Sequence, residues 1–529
     1  MPRNKVLAWC FAAGLAAVST CAGFAHNSFS PKYVSFYGIP LKSHAGPAGL
    51  LQVDLNGDGI PDVMSATDAG VQTLLSNSGG NYTVHEYSQF FITSIPLAAG
   101  DFNGDGKMDV FFYDFDGGSR LFFTAYGDGH GEFSSTTTAP NIPGIINGQQ
   151  NYILARTTDI NGDGRPDIVF AYFDDNTGYV YARPYLNNGQ SFTDAGNVFS
   201  FKPPNGFIGS GTDLIHTPAL DFLLGDFDSD GHADFALRVL TGTPFPALTP
   251  DNNLFILYGD GAGRFTSKAV FTHRQSFLAL SAADMNDDGR SDLVGGDSDE
   301  SVHIFFSGAG RSFSEKAIPA SAVQIPLLSY YPPILADFDG NGRKDIVFVA
   351  ESSTNSSSFG VRGLYQLAAG SFSPGPYSEA DTFTIDVAET AFVTLFGGDY
   401  NHDAKPDVAP FTNNRSANTH PNSADLMLNT GRNAVGACAA PGIGIHVCSP
   451  GSSSASPVHF SFSATSFYPI RKMEVWVDGV KKSETYHVFG NEGFSDVNLA
   501  LSAGTHRIGF FSGGFDGTVT KKTISVTVP

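Results

Sequence analysis

Seven stretches of the chain repeat one acidic pattern, Asp-x-Asn/Asp-x-Asp/Asn-Gly-x-x-Asp. They are 54–62 (DLNGDGIPD), 101–109 (DFNGDGKMD), 159–167 (DINGDGRPD), 226–234 (DFDSDGHAD), 284–292 (DMNDDGRSD), 337–345 (DFDGNGRKD) and an imperfect seventh, 399–407 (DYNHDAKPD). Oxygen donors at positions 1, 3, 5 and 9, with a backbone carbonyl at position 7, suit a hard cation. Calcium accepts roughly six to eight oxygens in flexible geometry, whereas magnesium demands a tight octahedron. Glycine at position 6 supplies the positive φ that bends the chain around an ion.

The expected ligand sets follow position by position. They are Asp54, Asn56, Asp58, Ile60 and Asp62; Asp101, Asn103, Asp105, Lys107 and Asp109; and Asp159, Asn161, Asp163, Arg165 and Asp167. Next come Asp226, Asp228, Asp230, His232 and Asp234; Asp284, Asn286, Asp288, Arg290 and Asp292; and Asp337, Asp339, Asn341, Arg343 and Asp345. The last is Asp399, Asn401, Asp403, Lys405 and Asp407, where Ala404 replaces the position-6 glycine and weakens the site. The expected cofactor is therefore Ca²⁺, about six or seven ions per chain. An EF-hand would need a bidentate Glu at position 12. That position holds Ser65, Phe112, Phe170, Leu237, Gly295, Phe348 and Pro410, which excludes it.

Charge counting points the same way. The chain has 529 residues, with 52 Asp+Glu against 30 Lys+Arg and a net charge of −22. The carboxylates at the seven sets of ligand positions also number 22. Three carboxylates in one turn without a cation repel one another and lose hydration at a cost of several kcal/mol. Solvated acidic turns that bind nothing are the bland alternative. The same acidity argues against nucleic acid as a partner, since phosphate binding needs Lys and Arg to release counterions.

Each loop runs directly into a short apolar segment: DVMSA, DVFFYD, DIVFAY, DFALRV, DLVGGD, DIVFVA and DVAPFT. These read as buried strands. A second strand and turn follow in each repeat, for example FFTAYGDGHGEF and ILYGDGAGRF, and then a further short strand. Gly at 60 residues, Pro at 30 and aromatics at 13% fit short strands and tight turns. About four antiparallel strands per repeat, seven times over, predict a seven-bladed β-propeller across 26–432. The seventh repeat stops without an outer strand. The segment 28–36 (SFSPKYVSF) resembles the outer-strand openings SFSEKAI and SFSPGPY, and is expected to complete the last blade.

The repeats resemble the FG-GAP/VCBS family, the calcium-loop blades of integrin α-chain propellers and of many exported bacterial proteins. The match spans about residues 28–432. It implies calcium coordination at the positions named above. The Phe-Gly and Gly-Ala-Pro strings of the integrin type are degraded here, so integrin-like partner binding is not carried over.

The ends read differently. Residues 1–25 have a basic start, an apolar stretch and a small-residue exit, the parts of a secretory signal. A membrane anchor is the competing reading, and the stretch is marginal in length for one. Cys438 and Cys448 then remain as one expected disulfide, in a linker over 433–456. A metal pair is the alternative, with no further ligands nearby to complete it. Residues 457–529 alternate with period 2 between DG and AG turns and look like a small bacterial Ig-like β-sandwich, with Trp476 read as core.

No helical His-Glu-x-x-His, Gly-x-Ser-x-Gly elbow or Walker-type loop is present in the sequence. The functional expectation is an exported, non-catalytic binding or adhesion module for a polysaccharide, cell-wall or protein partner. A propeller-based enzyme degrading polysaccharide or lipid, and a structural surface-layer component, are the alternatives. No membrane span is expected in the mature chain, and secretion or cell-surface display is the expected location.

Overall fold

The computed structural model describes residues 29–35, 50–67, 70–77, 81–87, 94–116, 119–139, 153–174, 176–189, 191–204, 220–243, 249–274, 277–297, 299–323, 331–351, 358–368, 370–384, 390–401, 405–414, 423–429, 444–449, 455–465, 470–486, 492–514 and 519–529. Among them the chain is all-β apart from one four-residue helix, Ala320–Val323. No described helix is long and apolar enough to cross a membrane.

The first acidic repeat forms an antiparallel sheet of Leu50–Val53, Asp62–Thr67, Gly70–Asn77 and Asn81–Tyr87, in chain order. The acidic loop joins its first and second strands. The second sheet repeats this plan with Ser94–Gly100, Asp109–Asp116, Ser119–Gly127 and Phe133–Ala139. The third has Ile153–Thr158, Asp167–Asp174, Tyr179–Asn187 and Phe192–Asp194, with Phe199–Phe201 also paired to its third strand. The fourth comprises Leu220–Gly225, Asp234–Thr243, Thr249–Gly259 and Phe265–Arg274. The fifth comprises Phe277–Ala283, Asp292–Asp297, Val302–Gly308 and Ser312–Ile318, and the sixth Ile334–Ala336, Asp345–Glu351, Ser358–Ala368 and Ser371–Thr384.

The burial pattern explains why the strand after each loop is a continuous apolar run. All six residues of Asp292–Asp297 are buried, because a second strand is covered on both faces by neighbouring sheets. The fourth strand, Ser312–Ile318, is exposed along most of its length and carries Glu315 and Lys316. First strands of successive sheets lie side by side along the chain, from Leu50–Val53 through to Thr390–Gly398. Aromatic and branched side chains fill the spaces between sheets, as where Phe111 and Phe122 of the second meet Phe170 and Tyr185 of the third.

The two ends of the repeat array meet in the next sheet. Thr390–Gly398, Asp407–Asn414 and Ser423–Asn429 are joined by Phe29–Ser35, with Phe29 opposite Asn429 and Ser35 opposite Ser423. This sheet in turn abuts the first. Gln52 Nε2 donates to Gly397 O at 2.8 Å and to the Tyr400 hydroxyl at 3.0 Å, while Leu50, Val63 and Leu74 pack on Tyr400 and Ala409. Removing residues 1–35 would bare the edge of Ser423–Asn429, a row of unpaired backbone groups. The expected result is concentration-dependent association, read by light scattering, which a monodisperse truncated monomer would contradict.

Beyond these sheets, Gly444–Ser449, Val458–Thr465 and Glu492–Leu499 form a three-stranded sheet. Val480–Tyr486, Ile470–Val477, Gly504–Gly514 and Val519–Val528 form a four-stranded one. Val458, Phe460 and Phe462 from the former share a core with Met473, Val475, Ile508 and Phe510 from the latter. Two sequence readings are corrected here. Gly444–Ser449, inside the stretch read as linker, pairs with Val458–Thr465 as a strand. Trp476 is half-buried on the outer face, because the alternation that sends Val475 and Val477 inward turns it outward. Its indole donates to Glu474 at 2.6 Å and lies 5.6 Å from the Phe511 ring.

Candidate metal centres

Each of the first six acidic loops is folded by its own side chains. The position-1 carboxylate accepts backbone N–H groups from positions 4 and 6. Gly57 and Gly59 donate to Asp54 at 2.8 and 2.9 Å, Gly104 and Gly106 to Asp101 at 2.7 and 2.8 Å, and Gly162 and Gly164 to Asp159 at 2.7 and 2.8 Å. Asp226 takes Ser229 and Gly231 in the same way, while Asp284 takes Gly289 and Asp337 takes Gly342. The side chain at position 3 then accepts the N–H of position 5: Asn56 from Asp58, Asn103 from Asp105, Asn161 from Asp163, Asn286 from Asp288 and Asp339 from Asn341. Position 5 accepts from position 7, as Asp58 from Ile60, Asp105 from Lys107, Asp163 from Arg165, Asp230 from His232, Asp288 from Arg290 and Asn341 from Arg343. The result is one turn lined by oxygens.

Two glycine positions are needed, where the sequence singles out one. Gly57 and Gly59 have φ of 72° and 83°, and the pair recurs at Gly104 and Gly106, Gly162 and Gly164, and Gly340 and Gly342. Ser229 and Asp287 stand at position 4 with φ of 62° and 60°, a conformation costly for a residue with Cβ. Asp287→Gly is therefore expected to raise stability by about 0.5–1 kcal/mol, read as an upward shift of the melting temperature.

The position-9 carboxylates do something the sequence does not reveal. Both oxygens accept backbone N–H groups, Oδ2 from position 2 of the loop and Oδ1 from the third strand. Asp62 clamps Leu55 and Ser76, Asp109 clamps Phe102 and Gly127, and Asp167 clamps Ile160 and Asn187. Asp234 clamps Phe227 and Gly259, Asp292 clamps Met285 and Ser307, Asp345 clamps Phe338 and Gln366, and Asp407 clamps Tyr400 and Asn429. All seven are fully buried. Burial drives six of these carboxyls upward against the hydrogen bonds: Asp62, Asp109 and Asp167 to about 6, Asp234 and Asp292 to about 7, and Asp345 to about 8. The loop carboxylates nearby add to the rise.

In three repeats the third-strand residue held by the clamp also ties repeats together. The amides of Asn187, Gln366 and Asn429 donate to Phe102 O, Met285 O and Phe338 O, each the position-2 carbonyl of an earlier loop. Ser76 and Ser307 instead turn to the position-8 carbonyls of their own loops, Pro61 and Ser291. Where that residue is Gly127 or Gly259, a Cβ would stand 2.1 or 2.3 Å from the position-8 carbonyl oxygen, Met108 or Ala233. The residue precedes the second turn of each repeat, the one sequence signal that marks it.

Ligand-type atoms converge most closely in the fourth and sixth loops. Those of Asp226, Asp228 and Asp234, and those of Asp337, Asp339 and Asp345, lie within 4.8 Å of one another. Asp228 Oδ1 is buried and has no hydrogen-bond partner, while its Oδ2 accepts from Arg311 Nε at 2.8 Å. An orphaned carboxylate oxygen beside two further carboxylates fits a cation better than any neutral arrangement. Arginines partly offset the charge elsewhere, as Arg165 does over Asp163 at 2.6 Å. In the last loop Asp399, Asn401, Lys405 and Asp407 are described, and Asp403 and Ala404 lie outside the described residues. Cys438 and residues 1–25 lie outside them too, while Cys448 falls on Gly444–Ser449.

A family model described as the FG-GAP-like repeat matches residues 54–112, 159–237, 226–295 and 284–348. Together with sheets of four strands set around a common arrangement of inner strands, this decides the architecture. The chain is a repeat β-propeller. The matched segments take in the first six acidic loops, and the seventh lies beyond them. No curated protein matches the chain. Among solved structures, the propeller is similar to an Agrocybe aegerita lectin described as recognising non-reducing terminal N-acetylglucosamine, at 18% identity and a TM-score of 0.37, covering 74% of this chain and 92% of that one. It is also similar to the Dos1 propeller, at 10% identity and a TM-score of 0.37, covering 70% and 75%. A β-fructofuranosidase from Schwanniomyces occidentalis shows 9% identity and a TM-score of 0.30, covering 76% and 95%. At such identities and TM-scores these likenesses carry no argument about what the propeller binds or does.

Proposed function

We propose that the acidic loops hold Ca²⁺ and that the chain is an exported, non-catalytic binding module. In this reading the propeller closes as seven blades and the C-terminal pair of sheets is an Ig-like unit. Positions 1, 3, 5 and 9 and the position-7 carbonyl hold the ion, which supplies positive charge to a turn otherwise rich in carboxylates. The observation that carries the reading is the commitment of these carboxylates to the fold. Every position-9 Asp has both oxygens on backbone amides, and the position-1 Asp residues shape the turn. Acidic groups spent in this way stiffen a scaffold rather than perform acid–base chemistry.

The partner is a polysaccharide, a cell-wall polymer or a protein outside the cell. The test incubates the full-length mature protein with insoluble polysaccharides and cell-wall preparations, in calcium and in chelator. Retention without soluble products, lost on chelation, is the expected result. Release of soluble sugars would overturn the non-catalytic reading in favour of a hydrolase. Calcium-dependent self-assembly without retention would replace it by a surface-layer role.

A further inference from the structure

The fourth acidic loop is built differently from the others at position 3. In the first, second, third, fifth and sixth loops the position-3 side chain accepts the N–H of position 5. In the fourth that N–H, from Asp230, turns to Asp226 Oδ1 at 3.3 Å. Asp228 is left with Oδ1 buried and unpartnered, and with Oδ2 on Arg311 Nε at 2.8 Å. Arg311 belongs to the next repeat, in the turn between Val302–Gly308 and Ser312–Ile318. Among the described residues, the other ion pairs on ligand positions are made within one loop, Arg165 with Asp163 and Arg290 with Asp288.

The arginine stands where a side chain is costly. It lies two residues before Phe313, as Gly131, Gly263 and Gly370 lie before Phe133, Phe265 and Phe372 in other repeats. Those glycines have φ of 89°, 79° and 69°, and Arg311 has 59°, a left-handed conformation that a Cβ disfavours. This position of the turn rests on the third strand of the preceding repeat. A Cβ on Gly131 would stand 2.6 Å from Leu75, and one on Gly263 would stand 3.1 Å from Leu186. The matching neighbour of Arg311 is Tyr258, whose ring the guanidinium covers at 4.1 Å. Nη1 donates to Thr266 Oγ1 at 2.9 Å, and Lys268 Nζ donates to Arg311 O at 2.5 Å. Ring, hydroxyl and carboxylate together fix the guanidinium, and a strained backbone is tolerated to put it there.

Charge and hydrogen bonding say what it does. The fourth loop has carboxylates at four ligand positions, Asp226, Asp228, Asp230 and Asp234, where each other loop has three. One guanidinium returns that excess to the common value. It takes one oxygen of Asp228 and leaves the other for an ion, in a loop where ligand atoms of Asp226, Asp228 and Asp234 lie within 4.8 Å of one another. A donor outside the ligand shell orients a metal-binding carboxylate in this way, and its loss costs about 10–100-fold in affinity.

We propose that Arg311 is a positioning residue for Ca²⁺ in the fourth loop, holding the position-3 carboxylate from the neighbouring repeat. The assignment rests on the calcium reading of the loops. The test titrates the full-length protein with Ca²⁺ by calorimetry at pH 7.5. Arg311→Gln and Arg311→Gly are each expected to weaken one equivalent at least tenfold and to leave the others unmoved. Asp228→Asn gives the fourth loop the amide that the first, second, third and fifth carry. In that background Arg311→Gln is expected to leave the equivalent unmoved. Arg311→Gly also relieves the left-handed strain, so in chelator it is expected to melt no lower than Arg311→Gln, which separates lost positioning from lost folding. A parent that binds Ca²⁺ with every equivalent unmoved in both Arg311 variants would overturn the assignment alone. Equal weakening in the Asp228→Asn background would overturn it too, and would leave Arg311 a packing residue. A parent that binds no Ca²⁺ would overturn the calcium reading together with it.

Discussion

Asp167→Ala is expected to destabilise the protein by about 2–5 kcal/mol in chelator, and by more in calcium, where a ligand of the ion is lost as well. The substitution strips the acceptors from Ile160 N and Asn187 N, which sit at 3.1 and 2.7 Å from the two oxygens of a fully buried carboxylate. Each buried amide left without a partner costs about 1–3 kcal/mol, whether or not an ion is present. Asp159→Ala, in the same loop, is expected to behave differently. Its carboxylate accepts amides that are exposed and can turn to water, so its loss costs little in chelator and more in calcium. Chemical denaturation of the two variants under both conditions gives four midpoints. An Asp167→Ala loss confined to calcium would show that position 9 serves the ion and not the clamp.

The second large effect is an inversion of pH dependence by calcium. Without metal, burial holds the position-9 carboxyls near 6 to 8, against 3.8 as the ordinary value. Between those limits the folded chain binds more protons than the unfolded chain, so stability is highest in acid and falls as pH rises through 6 to 8. A bound Ca²⁺ favours the ionised form and reverses the sign, since protons must then be displaced for the ion to enter. The chelated protein is therefore expected to melt several degrees lower at pH 8 than at pH 5, and the calcium-loaded protein several degrees higher. Parallel curves in calcium and chelator would rule out metal at these carboxylates.

How far each feature is legible in the sequence depends on whether it is local. The seven loops and the strands after them stand out because position, residue type and period all lie within a dozen residues, as in Asp159 to Phe170. The role of Asp167 as a clamp is invisible at that range, because one of its partners, Asn187, lies across the hairpin. The same holds for Asn187 and Gln366, whose amides cross to earlier repeats. Position 4 of the loop is hidden for another reason. Ser229 and Asp287 accept a left-handed conformation there, which blurs the glycine signal. Trp476 is misread because hydrophobicity outweighs parity in the reading, whereas parity decides the face in the sheet. Asp228 and Arg311 lie 83 residues apart and meet only because adjacent sheets pack together.

The sheet built from both ends of the repeat array sets an order of events. During synthesis Phe29–Ser35 is among the first described segments to appear, and its partner Ser423–Asn429 is the last strand of the ring. At about 5–20 residues per second the opening strand waits on the order of 20–80 s for a partner. Earlier sheets can close locally in that time, since each pairs neighbours in sequence, while the final contact carries nearly the whole loop-closure entropy of the propeller. Until then one strand's worth of backbone hangs free at each end of the growing arc. Assembly of the ring is thus a clasp fastened last, and the nascent chain must be kept from its neighbours until it shuts.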